Sequence, residues 1–120
     1  MTDSTWVKRL FATIDSSDAD AFVAFLTEDS VFVFGNAAPV AGKAAIRDLL
    51  VGFFGSIRAL RHEVKETWIL PDVVVATGRV TYTRHDGSTL EVPFADVLRM
   101  RKDLVREYLI YIDASKLYAP

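Results

Sequence analysis

The amino-acid sequence predicts an α+β fold in which three N-terminal helices cover one face of a curved, mainly antiparallel sheet. Up to about residue 57, apolar residues recur every three or four positions, which is typical of amphipathic helices. From Leu60 onward they alternate with a period of two, which is typical of strands. The chain has 120 residues and no linker or internal repeat, so we expect a single domain over residues 1–120.

Two short helices are predicted before residue 27. The first has one apolar stripe at helical spacing, made by Val7, Leu10, Phe11 and Ile14. Either Asp3 or Ser4 is positioned to cap it. The second helix begins at a capping box made by Ser17 and Asp20. Its apolar positions are Phe22, Phe25 and Leu26.

A short buried strand and a third helix follow. The residues Thr27 to Asp29 end the second helix, and Val31 to Phe34 are predicted as the strand. Gly35 and Asn36 form a turn that closes the strand. The third helix begins near Gly42 and has one apolar stripe, made by Ile46, Leu49, Leu50, Phe53 and Ile57.

Four strands are predicted in the second half of the chain, over residues 60–70, 73–83, 89–100 and 104–112. The turn sequences Pro71-Asp72, Asp86-Gly87 and Lys102-Asp103 separate them. Connections this short make neighbouring strands antiparallel.

Composition and motifs exclude several classes of protein. The formal net charge of −2 argues against nucleic-acid binding, which needs a clustered basic surface. The absence of Cys, the spacing of the two His residues and the lack of a phosphate-binding loop argue against a metal or a cofactor. The longest apolar run, Leu49 to Gly55, is too short to span a membrane, and Met1 to Phe11 lacks the apolar region of a signal peptide. We therefore expect a cytoplasmic protein.

The third predicted strand carries a carboxylate among apolar side chains. Alternate residues of a strand share a face, and one face here consists of Leu90, Val92, Phe94, Asp96, Leu98 and Met100. A buried carboxylate must be paired, hydrogen-bonded, hydrated or protonated, because burial of a bare charge is too costly. Desolvation raises the pKa of such a group, so Asp96 is a candidate proton donor near neutral pH. A structural Asp bound to a nearby Tyr, Arg or His is the alternative.

The first two predicted strands add polar groups to the same inner side. In the first, one face consists of His62, Val64, Glu66, Trp68 and Leu70. His62 is a candidate acid/base, although an inward His is more often a structural residue, and Trp68 is a candidate apolar wall. Glu66 is expected at the rim of the sheet. In the second strand, Tyr82 belongs to the inner set and is a candidate to present its hydroxyl to a ligand or to Asp96, although a core Tyr with one partner is the commoner outcome.

The last predicted strand is largely apolar on both faces. One set contains Leu104, Tyr108, Ile110 and Ile112, and the other contains Val105, Glu107, Leu109, Tyr111 and Asp113. Such a strand is expected where the outer face of a sheet packs on another subunit. The pattern therefore favours a homodimer.

With these elements in this order, the chain resembles the nuclear transport factor 2-like (NTF2-like) superfamily, in particular SnoaL-like and ketosteroid isomerase-like proteins. The resemblance covers essentially the whole chain and is carried by the segments Thr27–Val31, Gly42–Arg47, Ala95–Met100 and Tyr108–Asp113. It implies a cone-shaped fold, in which helices close over a strongly curved sheet and enclose an apolar pocket. Because the superfamily hosts many activities, these motifs indicate fold more than function.

The resemblance also implies roles for individual positions. The oxyanion-hole Asp of ketosteroid isomerases matches Asp96. Their general-base Asp falls at about Phe34, or at Val33 with a one-residue gap, and their first-helix Tyr falls at about Leu10, so two of the three roles are vacant. SnoaL-like polyketide cyclases use a single pocket Asp as acid/base without a cofactor, which this sequence can supply.

Together these patterns predict a pocket for a small apolar or amphipathic molecule, with Asp96 as its key polar group. We expect His62 and Tyr82 to orient Asp96 or to share its proton. The candidate walls are Trp6, Phe34, Phe53, Trp68 and Phe94. The predicted function is that of a cofactor-independent isomerase, cyclase or hydratase. A non-catalytic ligand-binding protein and a protein-interaction module are the alternatives.

Overall fold

The secondary structure of the computed structural model, which describes residues 1–118, consists of three helices and six strands. In chain order they are α1 (Ser4–Asp15), α2 (Ala19–Val23), β1 (Leu26–Phe34), β2 (Val40–Ala41), α3 (Lys43–Gly55), β3 (Ala59–Ile69), β4 (Val73–Thr83), β5 (Thr89–Arg101) and β6 (Leu104–Ile112). The α+β class is confirmed. The four predicted strands of the second half are confirmed to within one residue at each end.

Aspartates cap both N-terminal helices. The side chain of Asp3 accepts a hydrogen bond of 2.9 Å from a backbone N–H in the first turn of α1. The side chain of Asp18 does the same for α2, so the predicted capping box of Ser17 and Asp20 is wrong. The reason is local, because Ser17 has a φ of 57° and therefore belongs to the turn before the helix.

Strand β1 is longer than the sequence predicts. Helix α2 ends at Val23 and β1 begins at Leu26, so the assignment of Phe25 and Leu26 to the helix is wrong. β1 pairs in parallel with β6, which lies at the far end of the chain, and local periodicity cannot reveal such a partner. β2 has two residues and pairs antiparallel with β1; a strand this short leaves no periodicity to detect.

All six strands form one open, mixed sheet in the order β2-β1-β6-β5-β4-β3. Adjacent strands in the sheet are antiparallel, except for β1 and β6, which are parallel. Helix α1 packs against β3, and α3 packs against β1 and β2. The helices therefore cover one face of the sheet, which we call the inner face, and the hydrophobic core lies between them and this face.

A β-bulge in β3 decides which of its side chains face the helices. Beyond Val64 the pairing with β4 shifts by one residue, at Lys65. A one-residue shift moves every later side chain to the opposite face. Glu66 and Trp68 therefore lie on the outer face, and the prediction that they share the inner face with His62 is wrong.

Gly78 of β4 lies opposite this bulge and makes room for it. A Cβ atom on Gly78 would clash with the backbone carbonyl of Glu63, and it would also crowd the Cα atom of Val64. Glycine is required here by the close approach of two backbones rather than by its own torsion angles.

A second bulge explains the ambiguous pattern of the last strand. Leu98 pairs with Tyr108 and Met100 pairs with Val105, so Arg106 is an extra residue in β6. Val105 and Tyr108 are therefore both buried, although they are three positions apart. Part of the apolar character of both predicted faces comes from this change of register.

The helices of the described chain are short. The longest, α3, has 13 residues. Among residues 1–118, no helix combines the length and the apolar character needed to cross a membrane. The cytoplasmic location and the extent of the single domain stay predictions.

Candidate functional site

Asp96 lies on the inner face of β5 with only 2% of its surface exposed. Its neighbours on that face, Phe94 and Leu98, are buried apolar residues. Its Oδ2 atom accepts a hydrogen bond of 3.3 Å from the Tyr108 hydroxyl, and its Oδ1 atom has no hydrogen-bond partner within residues 1–118. The burial predicted from strand alternation is confirmed, while the catalytic role of Asp96 stays a prediction.

Burial raises the pKa of Asp96 to about 8, because the ionised carboxylate loses its hydration. The hydrogen bond from Tyr108 lowers the pKa, but desolvation is the larger effect. The carboxyl group is therefore mostly protonated at neutral pH, and it is able to donate a hydrogen bond or a proton.

A cavity of about 190 Å³ adjoins Asp96. Most of its lining residues are apolar, and they come from all three helices, from the loop between β1 and β2, and from the inner face of the sheet. Ala37, Ala38 and Leu49 line the cavity and are also exposed. The cavity therefore reaches the surface between this loop and α3.

Three of the five predicted wall residues line the cavity, namely Phe34, Phe53 and Phe94. The prediction for Trp68 is wrong, because the bulge at Lys65 turns it to the outer face, where 46% of its surface is exposed. The prediction for Trp6 is also wrong. Trp6 is buried, but it packs on Phe25, with 5.5 Å between ring centroids, and it is not part of the cavity wall.

The structure brings His62 and Tyr82 to the same cavity as Asp96. Tyr82 is buried, but among the described residues the hydroxyl that hydrogen-bonds Asp96 belongs to Tyr108. The Nδ1 atom of His62 lies 2.6 Å from Oδ1 of Asp15, the last residue of α1. These positions fit the predicted grouping, and the proposed roles of His62 and Tyr82 stay predictions.

Sequence reasoning missed two polar residues of this site, Tyr108 and Asp15. The available signal for Tyr108 was its place in an alternating set with Ile110 and Ile112, and that set faces inward. Asp15 is 47 positions from His62, and no spacing rule places the end of a helix beside a strand at that distance.

The two tyrosine hydroxyls at the cavity stay protonated near neutral pH. Burial is the main cause that raises the pKa of Tyr82 and of Tyr108, and the charge of Asp96 adds to it in both. The Asp15 carboxylate also raises the pKa of Tyr108. Of the cavity's carboxyl and phenol groups with a shifted pKa, Asp96 is therefore the one suited to proton exchange near neutral pH.

Residues 7–108 match the family model of the SnoaL-like domain. The chain belongs to the SnoaL-like family. The match includes all of β3, the bulge of β6, Asp96 and Tyr108. A search of curated proteins returns no match to this chain.

Solved structures share the fold of this SnoaL-like chain. A candidate SnoaL-like polyketide cyclase from Jannaschia sp. CCS1 has a TM-score of 0.81 at 20% identity, covering 97% of this chain and 91% of that one. A protein with a ketosteroid isomerase-like fold from Catenulispora acidiphila DSM 44928, in complex with trimethylamine, has a TM-score of 0.83 at 17% identity, covering 92% of this chain and 86% of that one. An LEH-like epoxide hydrolase of M. tuberculosis has a TM-score of 0.80 at 13% identity, covering 95% of this chain and 84% of that one. At these identities the likeness establishes the NTF2-like fold alone.

Proposed function

We propose that this SnoaL-like protein is a cofactor-independent acid/base enzyme that acts on a small, largely apolar molecule. The observation that carries the proposal is a buried carboxyl group, Asp96, beside an apolar cavity, with one oxygen that has no partner among the described residues. Burial raises its pKa to about 8, so the group holds a proton at neutral pH. A neutral carboxylic acid in such surroundings is suited to protonate or hydrogen-bond a substrate oxygen, which isomerisation, cyclisation and hydration all use.

The size of the cavity limits the proposed substrate. An engineered apolar cavity of about 150 Å³ accommodates benzene, and the cavity beside Asp96 measures about 190 Å³. Sites for larger, drug-sized ligands span roughly 300–1,000 Å³. The proposed substrate is therefore a molecule of about one ring with an oxygen directed at Asp96, whereas a four-ring steroid is too large for the cavity as it stands.

Non-catalytic binding of the same kind of molecule is the second candidate. The resemblance to ketosteroid isomerases places their general base at about Phe34 and their tyrosine at about Leu10. Phe34 borders the cavity and Leu10 is fully buried, and neither side chain can accept a proton. If no other group takes the role of the base, Asp96 only anchors a ligand.

The Asp96→Asn variant separates these two functions, because it keeps the shape of the side chain and removes the transferable proton. A thermal-shift screen of one-ring terpenoids and lactones first identifies ligands of the wild type. For an enzyme, we expect the variant to keep binding and to lose turnover by about 100-fold or more. Asp48→Asn, on the exposed surface of α3, is the matched control. Turnover that survives in Asp96→Asn would contradict the acid role.

The outer face of the sheet supports the proposal of a homodimer. An apolar row crosses five adjacent strands, and its members are Trp68, Val75, Val97, Leu109 and Val33. Tyr111, 60% exposed, lies on the same face. A contiguous apolar patch of this kind marks an interaction surface. We propose a second copy of this chain as its partner, because a two-fold axis brings identical rows together.

Light scattering after size-exclusion chromatography tests this assembly. We expect a dimer for the wild type and a monomer for Leu109→Glu, which places a charge inside the apolar row. Leu104→Glu is the control, because Leu104 is also exposed but lies outside the row. A wild type that is monomeric at micromolar concentration would rule the dimer out and leave the row for a different protein partner.

A further inference from the structure

The end of α1 holds His62 in place. Nδ1 of His62 lies 2.6 Å from Oδ1 of Asp15. The two carboxylate oxygens of Asp15 also accept hydrogen bonds from the backbone N–H of His62, at 3.2 and 3.1 Å. One carboxylate therefore fixes both the main chain and the ring of the histidine.

Two aromatic rings restrict the orientation of the imidazole. The Phe11 ring of α1 lies 5.0 Å from it and the Phe94 ring of β5 lies 5.1 Å from it, measured between centroids. The His62 side chain is only 10% exposed, and it borders the cavity. Among residues 1–118, the ring makes its hydrogen bond through Nδ1, and its Nε2 has no partner.

The contact with Asp15 decides which ring nitrogen carries the proton. An ionised carboxylate only accepts hydrogen bonds, so Nδ1 of His62 must be the donor. In the neutral ring, Nε2 is then unprotonated and offers its lone pair. A carboxylate that orients a histidine in this way fixes both its tautomer and the direction of its ring.

The paired histidine and the buried acid lie on one stretch of the inner face. Phe94, whose ring contacts His62, is two residues from Asp96 on the same face of β5, a separation of about 7 Å. Tyr108 lies beside Asp96 on the next strand of the inner face. Its hydroxyl binds Asp96, and the charge of Asp15 contributes to its raised pKa.

We propose that His62 acts as the base and Asp96 as the acid on one substrate in the cavity, with Asp15 as the positioning residue that keeps Nε2 unprotonated. This inference rests on the proposed function and adds to it a second reacting group and a substrate class. The substrate is a neutral, one-ring carbonyl compound with hydrogens on the carbon next to the carbonyl. Asp96 donates a hydrogen bond to the carbonyl oxygen, and Nε2 of His62 faces the adjacent C–H bond.

The proton transfers balance without a co-reactant. Nε2 of His62 takes a proton from the carbon next to the carbonyl, and the electron pair of that C–H bond forms the C=C bond of an enol. The carbonyl oxygen takes the proton of Asp96. The imidazolium then returns its proton to carbon, and the enol returns its O–H proton to the Asp96 carboxylate. Both side chains are restored, and nothing is oxidised or reduced.

The tautomer of His62 tests the role of Asp15 without any ligand. The chain has two His residues, so ¹⁵N-histidine labelling reports two rings, and His85→Gln assigns them. We expect the neutral His62 ring to carry its proton on Nδ1 in the wild type and to populate both tautomers in Asp15→Ala. Asp15→Asn keeps an acceptor oxygen and should restore the Nδ1–H form. A wild-type ring protonated on Nε2 would overturn the proposal.

Hydrogen exchange of cyclohexanone in D₂O tests the chemistry. Proton NMR follows the loss of signal from the hydrogens next to the carbonyl. We expect the wild type to accelerate this exchange and His62→Gln to slow it roughly 100-fold. Asp15→Ala should lower kcat roughly tenfold with little change in KM, and Asp15→Asn should recover part of the loss. His85→Gln, which changes an exposed residue, should leave the rate unchanged.

The outcomes of the exchange assay distinguish this inference from the proposed function. Exchange that is lost in Asp96→Asn but retained in His62→Gln overturns the role of the base and leaves the proposed function standing. Exchange that is absent from the wild type at saturating cyclohexanone overturns both. Circular dichroism of each variant confirms that a lost rate is not a lost fold.

Discussion

The two faces of the sheet hold their carboxyl groups in opposite protonation states. On the outer face of β3, Glu63 is exposed, and a hydrogen bond from Lys65 lowers its pKa. On the inner face of β5, Asp96 has one hydroxyl partner, Tyr108, and burial raises its pKa to about 8. The charge is kept where water and a cation are present, and a proton is kept where they are absent. The face of the strand therefore determines what each carboxyl group can do.

Register is the feature that assigns residues to these two faces. The bulge at Lys65 sends Glu66 to the outer face, so the inner face gains no second carboxylate from β3. The bulge at Arg106 turns Tyr108 inward, where its hydroxyl reaches Asp96. Two single-residue insertions thus decide which polar groups share the cavity. A change of pH and substitutions at single residues test this separation of the two faces.

The largest expected effect is a fall in stability as pH rises. In the folded protein Asp96 keeps its proton up to a pH of about 8, whereas its ordinary pKa is 3.8. Between these values the folded state binds one proton more than the unfolded state, so the free energy of unfolding falls with rising pH. This contribution to stability is on the order of 5 kcal/mol; it is complete below about pH 4 and lost above about pH 8. Urea unfolding at pH 5, 7 and 9 measures it.

The Asp96→Asn variant isolates this contribution from the other titrating groups. An amide does not titrate, so the stability of the variant should change much less than that of the wild type between pH 5 and pH 9. Asp48→Asn, on the exposed surface of α3, should keep the wild-type slope. Parallel pH dependences for the wild type and Asp96→Asn would show that Asp96 is ionised in the folded protein.

The second effect concerns Gly78, opposite the bulge in β3. Gly78→Ala places a methyl group against the backbone carbonyl of Glu63, so one of the two strands must move. We expect a loss of about 3 kcal/mol in the free energy of unfolding. Gly52→Ala, in α3, has no atom within 4 Å of the added Cβ and should raise stability by about 1 kcal/mol. Equal stabilities of the two variants in urea unfolding would contradict a tightly packed bulge.

Much of the fold follows from local periodicity. The stripe of α1 and the alternation of β4 are each set by neighbouring residues, and both were predicted. The parallel pairing of β1 with β6 depends on distant segments, and the face of Trp68 depends on a bulge. Neither bulge leaves a gap in the apolar pattern, because Lys65 and Arg106 are ordinary exposed residues. Register therefore had to come from the structure.

The candidate site was predictable only where a polar residue interrupts an apolar face. Asp96 stands alone among buried apolar residues of β5, so alternation was enough to identify it. His62 precedes the bulge, so its inward position was also predictable. Tyr108 alternates with Ile110 and Ile112, but its contact with Asp96 depends on tertiary packing, as does the contact of Asp15 with His62. The partners of the predicted residues were thus the part that sequence could not supply.

The third prediction tests the single hydrogen bond to Asp96. Within residues 1–118, Tyr108 is the group whose hydrogen bond lowers the pKa of Asp96, so that pKa should rise further in Tyr108→Phe. The loss of one hydrogen bond should cost about 1 kcal/mol of stability at pH 5. Carboxyl ¹³C NMR measures the titration of Asp96. Tyr82→Phe is the control, because among the described residues Tyr82 has no hydrogen bond to Asp96. A lower pKa in Tyr108→Phe would contradict the assigned contact.

The smallest effect is expected on the outer face, at the ion pair between Arg79 of β4 and Glu91 of β5. Both side chains are about half exposed, so water already stabilises each charge when its partner is removed. A double-mutant cycle with Arg79→Ala and Glu91→Ala should give a coupling energy below about 1 kcal/mol, reduced further by salt. The same cycle at Tyr108 and Asp96, with Phe and Asn, should give a coupling that salt changes much less, because both side chains are buried. A salt-dependent coupling there would mean that water enters the core around Asp96, and the face of the strand would then no longer explain its protonation.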